Sequence, residues 1–346
     1  MVLLLYNTMK PYLSFVMVAR NDDFGGNFLG RLQSCVNSIL ALSHKHNLNA
    51  ELIIVEWNPP DDRPRLKDAI NWPKNISPAN VKIIEIPDEI HRRYKNSEKI
   101  PFFEFFAKNA GIRRAKGEYV LATNSDIIFS DEMIKYFASR PFAENVFCRA
   151  DRYDIKIKDA SFFKQPLEEQ IRFCQNNIFQ IQTMHGALIQ SNSEWFKTRV
   201  LGRLKRLNIK KIINKFKSYT KKTISLTENK NGGERFRGLY INAGGDFMLL
   251  SKKNWEYFRG YPALGIDRGL DCYMTIMAHI AGLLQVILPY PIYHIEHDRS
   301  AQYLRPTAVL ENMPAFEKMV ETNKEVITND DNWGFKNEKL NEFIIE

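Results

Sequence analysis

Residues 107–130 constrain the fold of this chain most strongly, because a polar triplet interrupts an apolar run there. Residues 118–123 (EYVLAT) are apolar and β-prone, and the apolar run resumes at residues 127–129. A strand that is apolar on both faces is typical of the centre of a covered parallel sheet. The interrupting triplet is Asn124, Ser125 and Asp126, which therefore follows the strand at its C-terminal end. Because α/β sheets bind their ligands at that end, we predict a functional site here.

The alternative interpretation of this stretch is a helix cap. Ser130, Asp131 and Glu132 are suited to the start of a helix from Met133 onward. A cap explains Ser130, but it does not explain why polar residues interrupt a buried strand.

Strands and helices alternate along the first half of the chain. Apolar runs predict strands at 12–19, 50–55, 81–86 and 118–123, and helical spacing predicts helices at 29–48 and 102–115. This order predicts an α/β fold with a mainly parallel sheet flanked by helices. Arg20, Glu56 and Asp126 each follow a predicted strand, so we expect their side chains to converge at one crevice. Neither G-x-G-x-x-G nor G-x-x-x-x-G-K-[ST] occurs, so the sheet does not carry either phosphate-binding fingerprint.

The positive charge is confined to one segment. The whole chain has a net charge of +9, whereas residues 198–235 alone carry 12 Lys or Arg against 2 Asp or Glu. Within this segment, residues 200–219 have apolar side chains at helical spacing, with basic side chains largely off that stripe. A basic amphipathic helix favours an anionic membrane surface; the alternative is an insertion that packs its stripe on the core. Nucleic acid is disfavoured, because aromatic residues are not interleaved with the charges.

Cysteine spacing and hydropathy predict a cytoplasmic protein. The four cysteines lie far apart without a C-x-x-C pair, so neither a disulfide framework nor a structural zinc site is expected. No run of about 18 apolar residues occurs, and the first residues are a poor signal peptide.

Three separated motifs, in order, resemble the nucleotide-sugar-dependent glycosyltransferases of the GT-A fold, near family 2. The first is KNAGIRRAKGEYVLATNSDIIFSDEM, with an Asn-x-Gly helix, a strand and an acidic D-x-D-like step. The second is a first strand that ends in a polar turn. The third is GGDFMLL followed by Trp255, Gly260-Tyr261-Pro262 and a helix that carries Asp271 and ends at Gly282. The resemblance covers about residues 12–300.

The resemblance implies a division of the chain into three segments. Residues 1–150 would form the nucleotide-sugar-binding half of a GT-A domain. Residues 151–300 would form the acceptor-binding half, including the basic insertion at 198–235. Residues 301–346 are expected to form a C-terminal helical tail with a loosely packed end.

The resemblance also assigns donor-binding residues. Glu56 would accept a hydrogen bond from a nucleobase, although an acid at a turn or helix start is the alternative. Arg20 would contact the diphosphate or the base, unless it is simply a solvent-exposed arginine. Asn109 and Arg113 lie four residues apart on one helix face and would act together, with Arg113 beside a phosphate or in a surface ion pair. Ser125 belongs to the same donor site.

A divalent metal, Mg²⁺ or Mn²⁺, is implied at Asp126. The family's usual first acid of D-x-D is Asn124 in this chain, which keeps hydrogen bonding but loses a charge. In GT-A enzymes a histidine near the end of the core often completes the metal site, and His294 and His297 both follow the predicted last strand. The sequence does not decide which of the two histidines faces the nucleotide.

The acceptor base is expected among three carboxylates, those of Asp271, Asp267 and Asp246. The family's base begins a helix that ends in Gly, which favours Asp271 with Asp267 as its neighbour or cap. Asp246, beside Gly245, would orient donor or acceptor hydroxyls, since glycine permits close approach of a sugar. A base opposite the leaving group implies inversion, by analogy with inverting glycosidases; retention stays open.

The predicted function is transfer of a sugar from a nucleoside-diphosphate sugar to a hydroxyl of a glycan or lipid-linked acceptor in surface polysaccharide biosynthesis. Peripheral contact with an anionic membrane through residues 200–219 would suit such an acceptor. Two alternatives stay open: an inactive sugar- or nucleotide-binding relative, suggested by Asn124, and a nucleotidyltransferase, disfavoured by the acidic loop NDDFGGN after the first strand.

Overall fold

The computed structural model describes residues 10–74, 79–189, 236, 238–241, 244–264, 269–298 and 314–345. Asp267, the basic segment 198–235 and its proposed membrane-binding helix at 200–219 lie outside these residues.

The chain forms strands and helices in alternation over its first half. The strands are β1 (Leu13–Ala19), β2 (Ala50–Trp57), β3 (Asn80–Ile86), β4 (Tyr119–Thr123), β5 (Ile127–Phe129), β6 (Val146–Arg149), β7 (Arg152–Lys156), β8 (Ile178–Thr183), β9 (Gly186–Ile189), β10 (Phe247–Ser251), β11 (Leu284–Ile287), β12 (Ile292–Glu296) and β13 (Asn341–Ile345). The α-helices are α1 (Phe28–Lys45), α2 (Leu66–Ala69), α3 (Asp88–His91), α4 (Glu104–Arg114), α5 (Asp131–Ala138), α6 (Leu167–Asn176), α7 (Lys252–Phe258), α8 (Leu270–Ile280) and α9 (Pro314–Thr322).

An eight-stranded sheet runs in the order β11-β6-β10-β4-β1-β2-β3-β13. Four of its seven neighbouring pairs are parallel, so the sheet is mainly parallel. Every residue of β1, β2 and β4 is buried, because helices cover both faces. Residues on alternate positions of these strands pack on α1 on one face and on α4 on the other. The predicted α/β class, a mainly parallel sheet flanked by helices, is confirmed.

A second sheet of five strands, in the order β5-β12-β7-β8-β9, lies beside the first. Three strands of the large sheet continue directly into it: β4 into β5, β6 into β7 and β11 into β12. We call the junction between the two sheets, which these three connections form at residues 124–126, 150–151 and 288–291, the seam. From their apolar runs alone, residues 284–293 and 145–154 are each expected to form one strand. Each is two strands, and prolines at positions 289 and 291 separate β11 from β12 because proline cannot donate to a ladder.

The C-terminal segment differs from the predicted helical tail with a loose end. It contains α9, but it ends in β13, which pairs antiparallel with β3 and covers that edge of the large sheet. Phe343 and Ile345 pack against the core from this strand. An uncovered edge would expose unpaired backbone groups, so the strand has a clear physical role.

The two predicted halves share the large sheet, because β10 and β11 return to it from beyond residue 150. Within the described residues, no helix combines the length and the apolar character needed to cross a membrane.

Gly111 allows α4 to lie directly on the sheet. A Cβ at this position would lie 2.5 Å from Cγ1 of Val16 and 3.1 Å from Cγ2 of Val55. We expect Gly111→Ala to lower the free energy of unfolding by about 1–3 kcal/mol, although alanine favours a helix by about 1 kcal/mol. Urea denaturation measures the change. The control Lys116→Ala, at an exposed position just beyond the helix, should change the free energy by less than about 0.5 kcal/mol; equal effects would contradict the close contact.

Candidate functional site

Asp126 lies at the seam, in the turn between β4 and β5, and its carboxylate is buried. Its Oδ2 lies 3.2 Å from Nε2 of His297, 3.5 Å from Nη1 of Arg31 and 3.6 Å from Nε2 of His294. Its Oδ1 is buried and makes no hydrogen bond within the described part of the chain. The carboxylate therefore has one oxygen facing three cationic or imidazole groups and one oxygen available.

Both histidines predicted from the sequence reach Asp126, although their spacing left this open. His294 lies inside β12, not after it, and its backbone pairs with Ile127 on one side and Asp154 on the other. His297 follows the strand, and its ring packs edge-on against Phe24 at 5.2 Å. The centroids of the two rings lie 5.9 Å apart.

Gly25 is required for the position of His297. Its φ of +72° lies in the left-handed region, and a Cβ there would lie 2.5 Å from Nδ1 of His297. Only glycine fits a backbone that approaches the ring this closely. Gly25 of the first loop thus makes room for the histidine, a role that the sequence did not reveal.

Ionic interactions determine the charges of His294 and Asp126. Burial disfavours a charged imidazole, but Asp126 and Asp154 on either side outweigh burial and raise the pKa of His294 to about 10. Burial likewise disfavours a charged carboxyl, but His294 and His297 outweigh it and hold the pKa of Asp126 well below its ordinary value. Asp126 is therefore ionised at any physiological pH.

The donor set fits a divalent metal ion. One oxygen of Asp126 and one nitrogen each of His294 and His297 lie within 4.8 Å of one another. Oδ1 of Asp126 is buried and makes no hydrogen bond among the described residues, so it is a second oxygen that could bind the metal. Carboxylate oxygen and imidazole nitrogen are ordinary ligands of divalent metals in proteins.

Asp154 orients His294, and the sequence did not identify it. It lies in β7 and is buried, and its Oδ1 lies 2.9 Å from Nδ1 of His294. A carboxylate on one ring nitrogen places the proton there and leaves the other nitrogen available to a metal. Burial opposes ionisation of Asp154, but hydrogen bonding from His294 and the charge of Arg152 lower its pKa.

Asn124 is half-buried, and both ends of its side-chain amide are hydrogen-bonded to the protein. Its Oδ1 accepts a hydrogen bond from Nζ of Lys108 at 2.7 Å, and its Nδ2 donates to Oδ1 of Asp246 at 2.7 Å. Lys108 is fully buried and also donates to Glu104 at 2.6 Å and to the Gly245 carbonyl at 2.7 Å. An aspartate at 124 could not donate to Asp246 and would bring two carboxylates together. These contacts explain why position 124 is an asparagine, where the family usually has the first aspartate of D-x-D.

Asp246 is held on both carboxylate oxygens. Its Oδ2 accepts from Nη1 of Arg152 at 2.6 Å, opposite the bond from Asn124. Its side chain is 7% exposed. The structure therefore places Asp246 within the protein's own polar network.

Asp271 lies in the first turn of α8, as predicted, next to the loop that carries Asp246. Its Oδ2 accepts a hydrogen bond from the Gly245 backbone N–H at 3.1 Å. Burial raises the pKa of Asp271 against the opposing charge of Arg149, and Glu104 adds to the rise. The hydroxyl of Tyr261 is buried and makes no hydrogen bond in the described part of the chain. Asp271 is thus a carboxylate with backbone hydrogen bonds from Gly245 and Cys272 and a raised pKa.

Glu56 is used at the start of a helix, which was the alternative to a nucleobase contact. It lies in β2, is 1% exposed, and both of its oxygens accept from the Leu66 N–H at 3.0 and 3.1 Å. Arg20 is also engaged, since its Nε donates to the Asn58 carbonyl at 2.6 Å and its Nη1 to Asp22 at 2.7 Å. Within these contacts, neither residue touches the cluster around Asp126.

Asn109 and Arg113 are likewise held by the protein itself, and they bind different partners. Asn109 donates to the Tyr261 carbonyl at 2.8 Å and accepts from the Tyr261 N–H at 2.7 Å. Arg113 donates to the Trp333 carbonyl at 2.9 Å and stacks over its ring at 4.7 Å. The two side chains therefore link α4 to two different loops, and they form hydrogen bonds with backbone groups of those loops.

Comparisons with known proteins gave structural matches only. No family profile and no curated protein matches the chain. TarS 1-349 of S. aureus in complex with UDP-GlcNAc aligns with 11% identity and a TM-score of 0.48, over 91% of this chain and 66% of that one. Mannosyltransferase PcManGT from Pyrobaculum calidifontis, in complex with GDP-Man and Mn²⁺, aligns with 11% identity and a TM-score of 0.42, over 85% of this chain and 59% of that one.

Both matched structures contain a nucleotide sugar, and the second protein is named as a mannosyltransferase. The chain spans less than two thirds of either one. At TM-scores below 0.5 these likenesses carry no argument, so the function is argued from the site itself.

The environment of Glu56 predicts a dependence of stability on pH. Burial raises the pKa of Glu56 to about 7 from 4.5, against the hydrogen bond from Leu66. The native state then binds a proton more tightly than the unfolded state, so the stability that Glu56 contributes at low pH is lost as pH rises from about 4.5 to 7. Glu56→Gln keeps an acceptor for Leu66 and has no charge to bury. Its stability relative to wild type should improve by on the order of 2–3 kcal/mol between pH 5 and pH 8.

Urea denaturation at the two pH values measures this difference. Glu98→Gln, at an exposed position, is the control and should alter stability equally at both. A Glu56→Gln difference that does not change with pH would contradict the buried position of Glu56.

Proposed function

We propose that this chain is a metal-dependent glycosyltransferase that moves a sugar from a nucleoside-diphosphate sugar to a hydroxyl of a glycan or glycolipid acceptor. The observation that carries the proposal is the convergence of Asp126, His294 and His297 on one point of the seam. These are the residues of the D-x-D-like step and of the last strand that the motifs assign to the donor's diphosphate.

Asp126, His294 and His297 would hold Mg²⁺ or Mn²⁺. A metal bound there acts as a Lewis acid that neutralises the charge on the leaving diphosphate. Arg31 adds a fixed positive charge at the same place, since it is buried and its Nη1 lies 3.5 Å from Asp126. The sequence did not identify Arg31, which takes the role that was expected of Arg20 or Arg113.

A cleft of about 430 Å³ adjoins the cluster and has room for the diphosphate. Its walls come from the first loop, the end of β7 and the end of β12. The residues that line it are Gly25, Gly26, Asn27, Arg31, Lys156, Ile157, Lys158, Ala160, Phe163, Ile295, Glu296, His297 and Asp298. Its cationic residues Arg31, Lys156 and Lys158 outnumber its acidic residues Glu296 and Asp298, and this balance suits an anionic ligand.

Asp271 is proposed as the base. It would take the proton of the acceptor hydroxyl while the hydroxyl oxygen bonds to the sugar's C1 and the bond from C1 to the diphosphate oxygen breaks, with the electron pair leaving on the diphosphate. A raised carboxyl pKa suits this role, because a base is most effective with a pKa near the working pH. Attack from the side opposite the leaving group gives inversion. Asp267 stays a candidate neighbour outside the described residues.

The contacts of Asn124 weaken the alternative of an inactive relative. That alternative rested on Asn124 alone, and Asn124 is the residue type that Lys108 and Asp246 require on either side of it. A nucleotidyltransferase is disfavoured by the first loop, where Asp22 and Asp23 stand in place of lysines. A surface-polysaccharide acceptor and membrane contact through residues 200–219 are proposed on the sequence alone.

Replacement of Asp126 tests the donor and metal site. We expect at least one nucleoside-diphosphate sugar to raise the melting temperature of the wild type in the presence of Mn²⁺, and Asp126→Asn to lose this Mn²⁺-dependent shift, because the ligand's charge is lost. A thermal-shift screen with and without Mn²⁺ measures both. Asp131→Asn, a part-exposed acid five residues on, is the control and should keep the shift. A wild type that no nucleotide sugar stabilises would refute the proposal.

Replacement of Asp271 tests the base. Asp271→Asn keeps the shape and should retain donor binding, but it cannot accept the proton. Transfer should fall by roughly 10²–10⁴-fold, as measured by product formation with a responsive acceptor. Glu256→Gln, an exposed acid on α7, should transfer at the wild-type rate. Transfer by Asp271→Asn at a near-normal rate would exclude Asp271 as the base.

A further inference from the structure

We infer that Asp246, Arg152 and Asp154 are positioning residues that act on the metal site through His294, and that Asp246 is not a sugar contact. This inference deepens the proposed function and rests on the metal site described there. It depends on an unbroken series of hydrogen bonds from Lys108 to His294.

The first link fixes the ring of His294. Its Nδ1 lies 2.9 Å from Oδ1 of Asp154, which accepts the ring proton. A metal that displaced the Nε2 proton would leave the remaining proton on Nδ1, and Nε2 lies 3.6 Å from Oδ2 of Asp126. Asp154 is in turn held by Gln180, which donates to its Oδ2 at 3.0 Å. The orientation of a metal-binding imidazole depends on such a partner.

The second link is a shared guanidinium. Arg152 donates from Nη2 to Oδ2 of Asp154 at 3.3 Å and from Nη1 to Oδ2 of Asp246 at 2.6 Å. Its side chain is 12% exposed, so little water competes for these bonds. A planar guanidinium presents its N–H donors in fixed directions, so it sets the geometry of the two carboxylates more rigidly than the rotatable donors of an ammonium group would.

The third link anchors the far end. Asp246 receives the Asn124 amide at 2.7 Å, and Asn124 accepts from the fully buried Lys108. Both oxygens of Asp246 are therefore occupied by groups of the protein. Asp246 restrains Arg152, Arg152 restrains Asp154, and Asp154 restrains the ring that faces Asp126.

Because the effect of Asp246 passes through Asp154, the two residues should not act independently on metal affinity. The dissociation constant of Mn²⁺ for the nucleotide-free full-length chain, measured by isothermal titration calorimetry, reports this directly and needs no substrate. Asp154→Asn should weaken Mn²⁺ binding by about 10–100-fold. Asp246→Asn should weaken it by about 3–10-fold in the wild type, within the range of indirect couplings, but by less than about 2-fold when Asp154→Asn is already present.

Three outcomes would overturn the inference. They are equal effects of Asp246→Asn in the two backgrounds, an unchanged Mn²⁺ dissociation constant in the single variant, and a wild type that binds no Mn²⁺. If Asp246 contacts sugar, Asp246→Asn will raise a substrate KM and leave Mn²⁺ affinity unchanged. Glu144→Gln, an exposed acid paired with Lys253, is the control for loss of a carboxylate.

If Asp154→Asn or Asp246→Asn folds poorly, a replacement of Arg152 tests the same inference. Arg152→Lys keeps the buried positive charge and removes the fork, so it should fold and still weaken Mn²⁺ binding; wild-type affinity in a folded Arg152→Lys protein would overturn the inference. Nucleotide-sugar binding by the wild type, measured separately, tests the proposed function. A wild type that binds Mn²⁺ but no nucleotide sugar would refute the glycosyltransferase and leave the coupling test valid.

Discussion

The buried carboxylate of Asp126 is the interaction on which the arrangement of the seam depends. Removing a charged carboxylate from water is costly, and the cost must be offset by well-placed opposite charges. Here Arg31 comes from α1, His294 from β12 and His297 from the chain beyond it. Three distant parts of the sequence therefore have to meet around one side chain, and the crossings between the two sheets bring them there.

The same requirement extends outward from Asp126. His294 needs Asp154, Asp154 is paired with Arg152, and Arg152 also pairs with Asp246. His294, Asp154 and Asp246 are buried, the side chain of Arg152 is 12% exposed, and each has an oppositely charged partner, which is what allows a polar network to be tolerated inside a protein. Asn124 closes the series with a neutral amide, because Lys108 offers donors on one side and Asp246 offers acceptors on the other.

Much of the candidate site followed from local sequence patterns. Asp126 was predicted because a strand end is visible in periodicity and turn residues, whereas the resemblance to GT-A glycosyltransferases pointed to Asp271 and the two histidines. The helices and strands of the first half were also predicted from periodicity. β13 was missed because a short strand at a sheet edge has no local signal beyond a few apolar residues. Glu56, Asn109 and Arg113 carried motif-based expectations, but their buried neighbours decided what their side chains bind.

What the sequence determined by itself is which residue types occupy the ends of the strands, and hence that a carboxylate and histidines stand near a ligand-binding edge. Only the tertiary structure decided which of them meet. Arg31, Arg152 and Asp154 have no pattern that marks them, because their partners lie far along the chain: Arg31 is 95 residues from Asp126 and Asp154 is 140 residues from His294. Contacts over such separations depend on how the two sheets are joined, and the local periodicity of the sequence does not indicate that arrangement.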